Sequence, residues 1–277
     1  MFCTTTPLQP FLKWAGGKRV LLPEIQKHLP SYFGVYYEPF LGAGAVLFAL
    51  QPPRAVVGDI NAEIINCYVV IRDQVEALIT QLARHKNEEQ YFYAIRAWDR
   101  TPTFLERDPV ERAARILFLN KTCYNGLYRV NAHGQFNVPF GRYAAPRILD
   151  AQHLRAVSRY LNDADITIRC GDFAATLAPA QTGDFVYCDP PYDPISPSAS
   201  FTGYAAGGFP LAEQVRLRDT LVALDARGVQ FLLSNAATPR MQALYQHFAA
   251  TTVSAPRAIN SNATKRGAVE ELLVRNY

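Results

Sequence analysis

The stretch from Val35 to Asp59 constrains the fold most. A short apolar run, Val35–Glu38, leads into Pro39-Phe40-Leu41-Gly42-Ala43-Gly44. A helical pattern follows over Ala43–Leu50, and a second apolar run, Ala55–Val57, ends at Gly58-Asp59. Strand, glycine turn, helix, strand is the opening of a doubly wound α/β sheet. The alternation resumes after Asp150. Ile166–Arg169, Phe185–Cys188 and Val229–Ser234 predict buried strands, Leu211–Ala226 and Pro239–Phe248 predict helices, and Glu271–Arg275 predicts a last strand. Between the two halves, Asn61–Arg115 carries helical periodicity around Ile64–Leu82 and Val110–Leu119. Gly126, Asn131, Gly134 and Gly141 then punctuate strand-like pieces that read as a hairpin. The expected organisation is one discontinuous α/β domain, residues 1–60 and 150–277, interrupted at 61–149 by a mainly helical module carrying a β-hairpin. A chain of 277 residues is long enough to bury such a core.

Ligands of open α/β sheets gather beyond the carboxyl ends of the strands. Asp189-Pro190-Pro191-Tyr192 directly follows the strand-like Phe185–Cys188. The tetrapeptide answers a specific chemical difficulty. The exocyclic amine of a nucleobase is a poor nucleophile, because its lone pair is delocalised into the ring. A carboxylate (Asp189) and the backbone carbonyl of Pro190 can accept both amino hydrogens, favouring a pyramidal nitrogen with its lone pair aimed at an electrophile. The prolines remove donors and restrict φ. Tyr192 offers a face for a base extruded from its duplex. The plain alternative is a Pro-rich turn capped by Asp, but the full tetrapeptide after an apolar strand is far less common than an Asp-Pro turn.

Gly42 and Gly44 allow close backbone approach to a ligand at the strand-to-helix turn, next to Glu38, Pro39 and Phe40. Asp59 closes the next strand, placed to accept from ribose hydroxyls. A lone G-x-G reads equally as a structural turn, and the spacing is not the dinucleotide fingerprint. Together with Asp59 and Asp189-Pro190-Pro191-Tyr192 it becomes a pocket for an adenosyl ligand. Gly171-Asp172-Phe173 places Asp172 and Phe173 toward that ligand's adenine, although a turn Asp explains the motif nearly as well. Phe11-Leu12-Lys13-Trp14-Ala15-Gly16-Gly17-Lys18 lacks the phosphate-loop spacing, which disfavours a nucleotide triphosphatase, and Trp14 fits core packing equally well.

Charge is informative through its distribution, since the net +4 decides little. From Arg112 to Leu149 there is no Asp or Glu, while Arg112, Arg115, Lys121, Arg129, Arg142 and Arg147 alternate with Phe118, Tyr124, Tyr128, Phe136, Phe140 and Tyr143. This suits phosphate contact with stacking or wedging of bases; a solvated basic face over core aromatics is equally compatible. Five scattered cysteines and five histidines show no metal spacing, and the cysteines fit a reducing compartment. No apolar run spans a membrane and no secretory signal is expected.

These motifs and their order resemble the Dam-type DNA adenine methyltransferases, over nearly the whole chain. The resemblance includes Phe11–Lys18, the Gly-rich turn, Gly58-Asp59-Ile60-Asn61, Tyr124-Asn125-Gly126-Leu127, Phe136–Tyr143, Asp189–Tyr192 and Ser200-Phe201-Thr202. It implies a Rossmann-like sheet that uses S-adenosylmethionine, with the insert recognising the target. It implies direct methyl transfer to N6 of a flipped adenine in double-stranded DNA, within GATC. Trp14, Ala15, Gly16, Gly17, Lys18, the Gly-rich turn, Asp59 and the Asp172 region are then cofactor-binding. Lys13, Asn125, Leu127, Arg129, Pro139, Arg142 and Tyr143 face DNA, and Tyr124 enters the duplex. Tyr128 departs from the pattern, standing where a smaller residue is expected. The alternatives are a cytosine-N4 enzyme, whose tetrapeptide usually begins with Ser, and a catalytically silent DNA-binding protein on the same fold. A cytoplasmic monomer, bacterial or phage-encoded, with no metal and no obligate protein partner, completes the expectation.

Overall fold

The computed structural model describes residues 7–14, 18, 21–194, 208–256 and 268–277. In chain order these form α1 (Leu22–Lys27), β1 (Tyr36–Glu38), α2 (Ala45–Leu50), β2 (Arg54–Asp59), α3 (Ala62–Asp73), α4 (Val75–Leu82), α5 (Glu89–Arg96) and α6 (Pro109–Thr122). They continue with α7 (Ala151–Asp163), β3 (Asp165–Cys170), α8 (Phe173–Leu177), β4 (Phe185–Cys188), α9 (Leu211–Asp225), β5 (Gln230–Ala236), α10 (Pro239–Leu244), β6 (Ala249–Pro256) and β7 (Ala268–Arg275). The sheet order is β3-β2-β1-β4-β5-β7-β6. Every pairing is parallel except those of β7, which runs antiparallel to both β5 and β6.

Period-two burial builds two layers on this sheet. Tyr36, Phe185 and Tyr187 point into a core shared with α2, α3, α6 and α7, while Tyr37, Val186 and Cys188 point into one shared with α8, α9 and α10. β1 continues to β2 on one side and β4 to β5 on the other. The crevice between β1 and β4 is therefore the topological switch point, where ligands of such sheets bind.

Local chemistry sets the helix starts. Asn61 caps α3 by accepting from the Glu63 and Ile64 amides, Asp108 caps α6 ahead of Pro109, and Asp150 caps α7. The periodic stretch Ile64–Leu82 is two helices rather than one, because the backbone leaves helical φ/ψ at Gln74. The two halves then bury different faces: α3 packs on β2, β3, α6 and α7, and α4 on α6 and α7. β6 escaped the sequence reading because, among the described residues, it pairs only with β7 and its Ala249–Thr252 run is exposed, so it lacks apolar alternation. The expected hairpin is present as isolated antiparallel bridges, Val130 with Phe136 and Cys123 with Phe140, not as continuous strands. The Asn131 side chain takes the His133 and Gln135 amides at its tip, and Pro139 has no amide to give a ladder.

Candidate active site

The residues expected to act at the sheet's carboxyl edge do meet there. Glu38 ends β1, Asp59 ends β2, Asp172 follows β3 and Asp189 follows β4. Gly42 and Gly44 adopt left-handed φ of 47° and 68°, conformations that favour glycine. The turn is pinned from several sides. The Asp59 carboxylate accepts from the Gly42 amide at 2.8 Å, and the Tyr68 hydroxyl donates to the Gly42 carbonyl at 3.1 Å. A Cβ on Gly42 would stand 2.9 Å from the Trp14 indole nitrogen, and one on Gly44 2.5 Å from the Tyr68 hydroxyl. Gly44 has no side chain to cap α2, and buried Glu38 does so instead, accepting from the Leu47 amide at 3.1 Å and from the Tyr36 hydroxyl at 2.8 Å.

Carboxylates crowd this edge. Burial pushes Glu38 up to about 8, with Asp189 and Asp59 adding to the shift against its hydrogen bonds. Burial raises Asp59 against three amide hydrogen bonds. It raises Asp189 too, against Lys18 and Ser234, with Glu271 reinforcing the rise. The Lys18 ammonium lies 2.9 Å from Asp189 Oδ1, 3.8 Å from Glu271 and 4.3 Å above the Tyr192 ring centre. Ser234 donates to Asp189 at 2.9 Å and pairs with the Tyr187 hydroxyl. The Lys18 side chain is 6% exposed and that of Asp189 22%, so the carboxylate is the group a ligand can reach.

A second tier braces the tetrapeptide. Gln214 on α9 donates to the Pro191 carbonyl at 2.9 Å and accepts from Asn235, which in turn accepts from the Asp193 amide. Tyr192 donates its hydroxyl to Glu271 of β7 at 2.5 Å. Sequence reasoning missed Ser234, Asn235, Gln214 and Glu271. The available signal was the Ser-Asn pair at the carboxyl end of an apolar strand, on the edge where ligands bind. Asp172 caps α8 through the Ala174 amide and is gripped by both terminal nitrogens of Arg216, whose guanidinium also covers the Phe173 ring at 4.0 Å. Phe173 is otherwise packed on Phe40 and Phe209. Ile60, next to Asp59, is 64% exposed. Ala15, Gly16, Gly17 and the segment Ser196–Tyr204, with Ser200-Phe201-Thr202, lie outside the described residues.

The positions expected to face DNA also gather on one surface. The Tyr124 amide donates to the Pro139 carbonyl at 2.9 Å, and the Asn125 amide, at φ 57°, to the Tyr143 hydroxyl at 2.9 Å. Lys13 lies along Gly126 with its ammonium 5.7 Å from the Tyr143 ring centre, and half-buried Leu127 lies beside them. Arg129 donates to both oxygens of Asn137, while Arg142 is 80% exposed and Tyr124 is half exposed. Two charges of the basic segment are structural instead: Arg112 pairs with Glu63, and Arg115 is buried against Asp99. Tyr128 is a core residue, stacked on Trp14 at 4.8 Å, which gives its size a packing reason. Among the described residues no His, Cys, Asp and Glu cluster fit for a metal occurs, and no helix is long and apolar enough to cross a membrane.

Comparison with known proteins identifies the family. Residues 14–259 match the family model of the D12 class N6 adenine-specific DNA methyltransferases. A Type II methyltransferase of Lactococcus lactis subsp. cremoris, M1.LlaDCHI, is 44% identical over 98% of this chain and 96% of its own. Another from Methanocaldococcus jannaschii, M.MjaIII, is 40% identical over 98% and 99%. The DNA adenine methylase of Serratia marcescens is 39% identical over 95% and 96%. With most of its length matched by the model and nearly all of it by such relatives, the chain belongs to the D12 class of N6 adenine-specific DNA methyltransferases.

Proposed function

We propose that the pocket between β1 and β4 binds S-adenosylmethionine, and that the chain, as a monomer, methylates N6 of an adenine turned out of duplex DNA within GATC. The residues present fit that cofactor. Glycine at two left-handed positions, Gly42 and Gly44, leaves the backbone bare at those points of the turn. The carboxyls of buried Glu38 and half-buried Asp59 and Asp189, all held above their usual range, suit a ligand bearing an ammonium, ribose hydroxyls and a sulfonium. Trp14, Lys18, Gly42, Gly44 and Pro39–Phe40 would line it, and the sequence resemblance adds Ala15, Gly16 and Gly17 to the cofactor-binding set. Asp172 and Phe173 lie at the adenine end, where Arg216 already occupies part of their surface. Bound there, the cofactor supplies an electrophilic methyl group.

One observation carries the reading. The Lys18 ammonium simultaneously hydrogen-bonds Asp189 and stands over the Tyr192 ring. Those are the two contacts an extruded adenine requires, a carboxylate for its amino hydrogen and an aromatic face for its ring. In the reacting complex Asp189 and the Pro190 carbonyl accept the amino hydrogens in place of the lysine, directing the nitrogen lone pair outward. Asp189 also stabilises the positive charge that develops on nitrogen. Pro191 is braced by Gln214 and Tyr192 by Glu271. The segment 61–149, joined by Lys13 of the N-terminal segment, supplies target recognition: Lys13, Leu127, Arg129, Pro139 and Arg142 contact DNA, Asn125 and Tyr143 shape that surface, and Tyr124 wedges the duplex.

The test is to incubate the protein with unmethylated plasmid and S-adenosylmethionine and map every methylated base. N6-methyladenine confined to GATC is expected. Another methylated site would retire the specificity, and tight cofactor binding without methylation would retire the mechanism.

A further inference from the structure

Beyond its single bridge, the second arm of the hairpin, Phe136–Val138, is held by side chains from outside it. Asp99 accepts from the Phe136 amide at 2.7 Å, and Arg100 donates to the Phe136 carbonyl at 2.8 Å. Arg96 donates to the Val138 carbonyl at 3.1 Å. Side chains at the end of α5 and in the 3-10 turn Ala97–Arg100 thus stand where a neighbouring strand would. Asp99 is itself fixed. Its side chain is 8% exposed, with the Arg115 guanidinium at 2.7 Å and that of Arg100 at 2.6 Å. Arg115, 1% exposed in the middle of α6, also donates to the carbonyls of Ile95 and Arg96 at 2.9 and 2.7 Å.

A buried ion pair is a poor way to hold two helices together, since apolar residues of similar volume do as well or better. What it supplies here, and an apolar pair would not, is a directional grip on one peptide. That grip reaches the surface facing DNA. Phe136 and Val138 point inward, 2% and 1% exposed, so Asn137 between them points outward. Asn137 receives two hydrogen bonds from Arg129, at 2.5 Å to Oδ1 and 3.3 Å to its carbonyl. A slip of one residue in this arm would turn Asn137 inward and break the two hydrogen bonds that hold Arg129 to it.

We propose that Asp99, Arg115 and Arg100 are positioning residues that fix the register of this arm and so set how sharply the enzyme discriminates its DNA sequence. This rests on the reading that the hairpin, through Arg129, reads bases.

The test uses the full chain and compares duplexes carrying the mapped site with duplexes altered at one outer base pair. Removing only one charge would strand the other in the interior, so the main variant is Asp99→Leu/Arg115→Leu. Arg100→Ala, at a side chain one third exposed, keeps the test alive if the double variant fails to fold. Discrimination in kcat/KM is expected to fall on the order of tenfold in the double variant, the scale of one lost base contact. A smaller loss is expected in Arg100→Ala. In both, KM for the cognate duplex should rise while kcat and cofactor affinity hold. Unchanged discrimination in the folded variants, with Arg129→Ala losing it, would overturn the positioning role alone. Discrimination surviving Arg129→Ala would overturn the reading beneath it, and this inference with it.

Discussion

At Asp189 burial and polar contacts oppose one another. Burial and Glu271 raise its pKa, Lys18 and Ser234 lower it, and the net shift is upward. Only the ionised carboxylate can accept an amino hydrogen without offering one back. Activity should therefore fall on acidification at a pH above the usual carboxylate range. Ser234→Ala removes a donor to the ionised form, so the acid limb of kcat against pH should move to higher pH. A limb that stays in place would remove Asp189 as the titrating group. Glu38 makes the corresponding statement about stability. Its carboxyl rises from an ordinary 4.5 to about 8. Below 4.5 both folded and unfolded forms hold the proton. Between 4.5 and about 8 only the folded form does, so stability falls across that window and levels above it. Glu38→Gln keeps acceptors for Tyr36 and Leu47 but cannot ionise. Denaturant unfolding of the variant should lose this decline, a difference of a few kcal/mol by pH 8. Parallel profiles for the two proteins would place the proton elsewhere.

The turn between β1 and α2 is one unit: Asp59 holds it from β2, Tyr68 from α3 and Trp14 from the N-terminal segment. Gly44→Ala combines a left-handed φ with a Cβ 2.5 Å from the Tyr68 hydroxyl. The variant should lose about 2–4 kcal/mol of stability and most of its cofactor affinity. In a Tyr68→Phe background, which lacks both the colliding oxygen and the hydrogen bond to Gly42, the fall in melting temperature caused by Gly44→Ala should shrink toward the φ penalty alone. An equal fall in both backgrounds would mean that the clash is not the source. This element was legible in the sequence because its signals are local: two glycines, an apolar run before them and an aspartate closing the next strand. Phe185–Cys188 and its tetrapeptide were legible for the same reason. Lys18 against Asp189 and Tyr192 against Glu271 were not, because the partners lie 171 and 79 residues apart and no local pattern marks them. The buried role of Arg115 was hidden likewise, since composition counts an arginine as a surface charge until Asp99 is placed beside it.

Over the whole molecule, the sheet edge that carries Asp189 and the basic surface are joined by the N-terminal segment. Trp14 stacks on Tyr128 and supports Gly42, while the Lys13 backbone exchanges two hydrogen bonds with Asn120 on α6. Base reading and phosphate attraction should nevertheless separate by residue. Arg142 projects from the hairpin base at a left-handed φ of 53°, 80% exposed and only 3.7 Å from Glu89, a weak pairing that a guanine edge can displace. Arg147, 78% exposed, sits farther along the loop and pairs with Asp150. Arg142→Ala should weaken binding to the mapped site by roughly 1–3 kcal/mol, relax preference at one base pair, and leave unrelated DNA almost as well bound. Arg147→Ala should weaken binding to every sequence and lower the slope of log affinity against log salt by about 1. Titrating both variants against specific and unrelated duplexes over a range of salt separates the two. If Arg142→Ala lowers the salt slope and spares preference, its guanidinium is a phosphate contact, and the specificity of the molecule rests on Arg129 and Lys13.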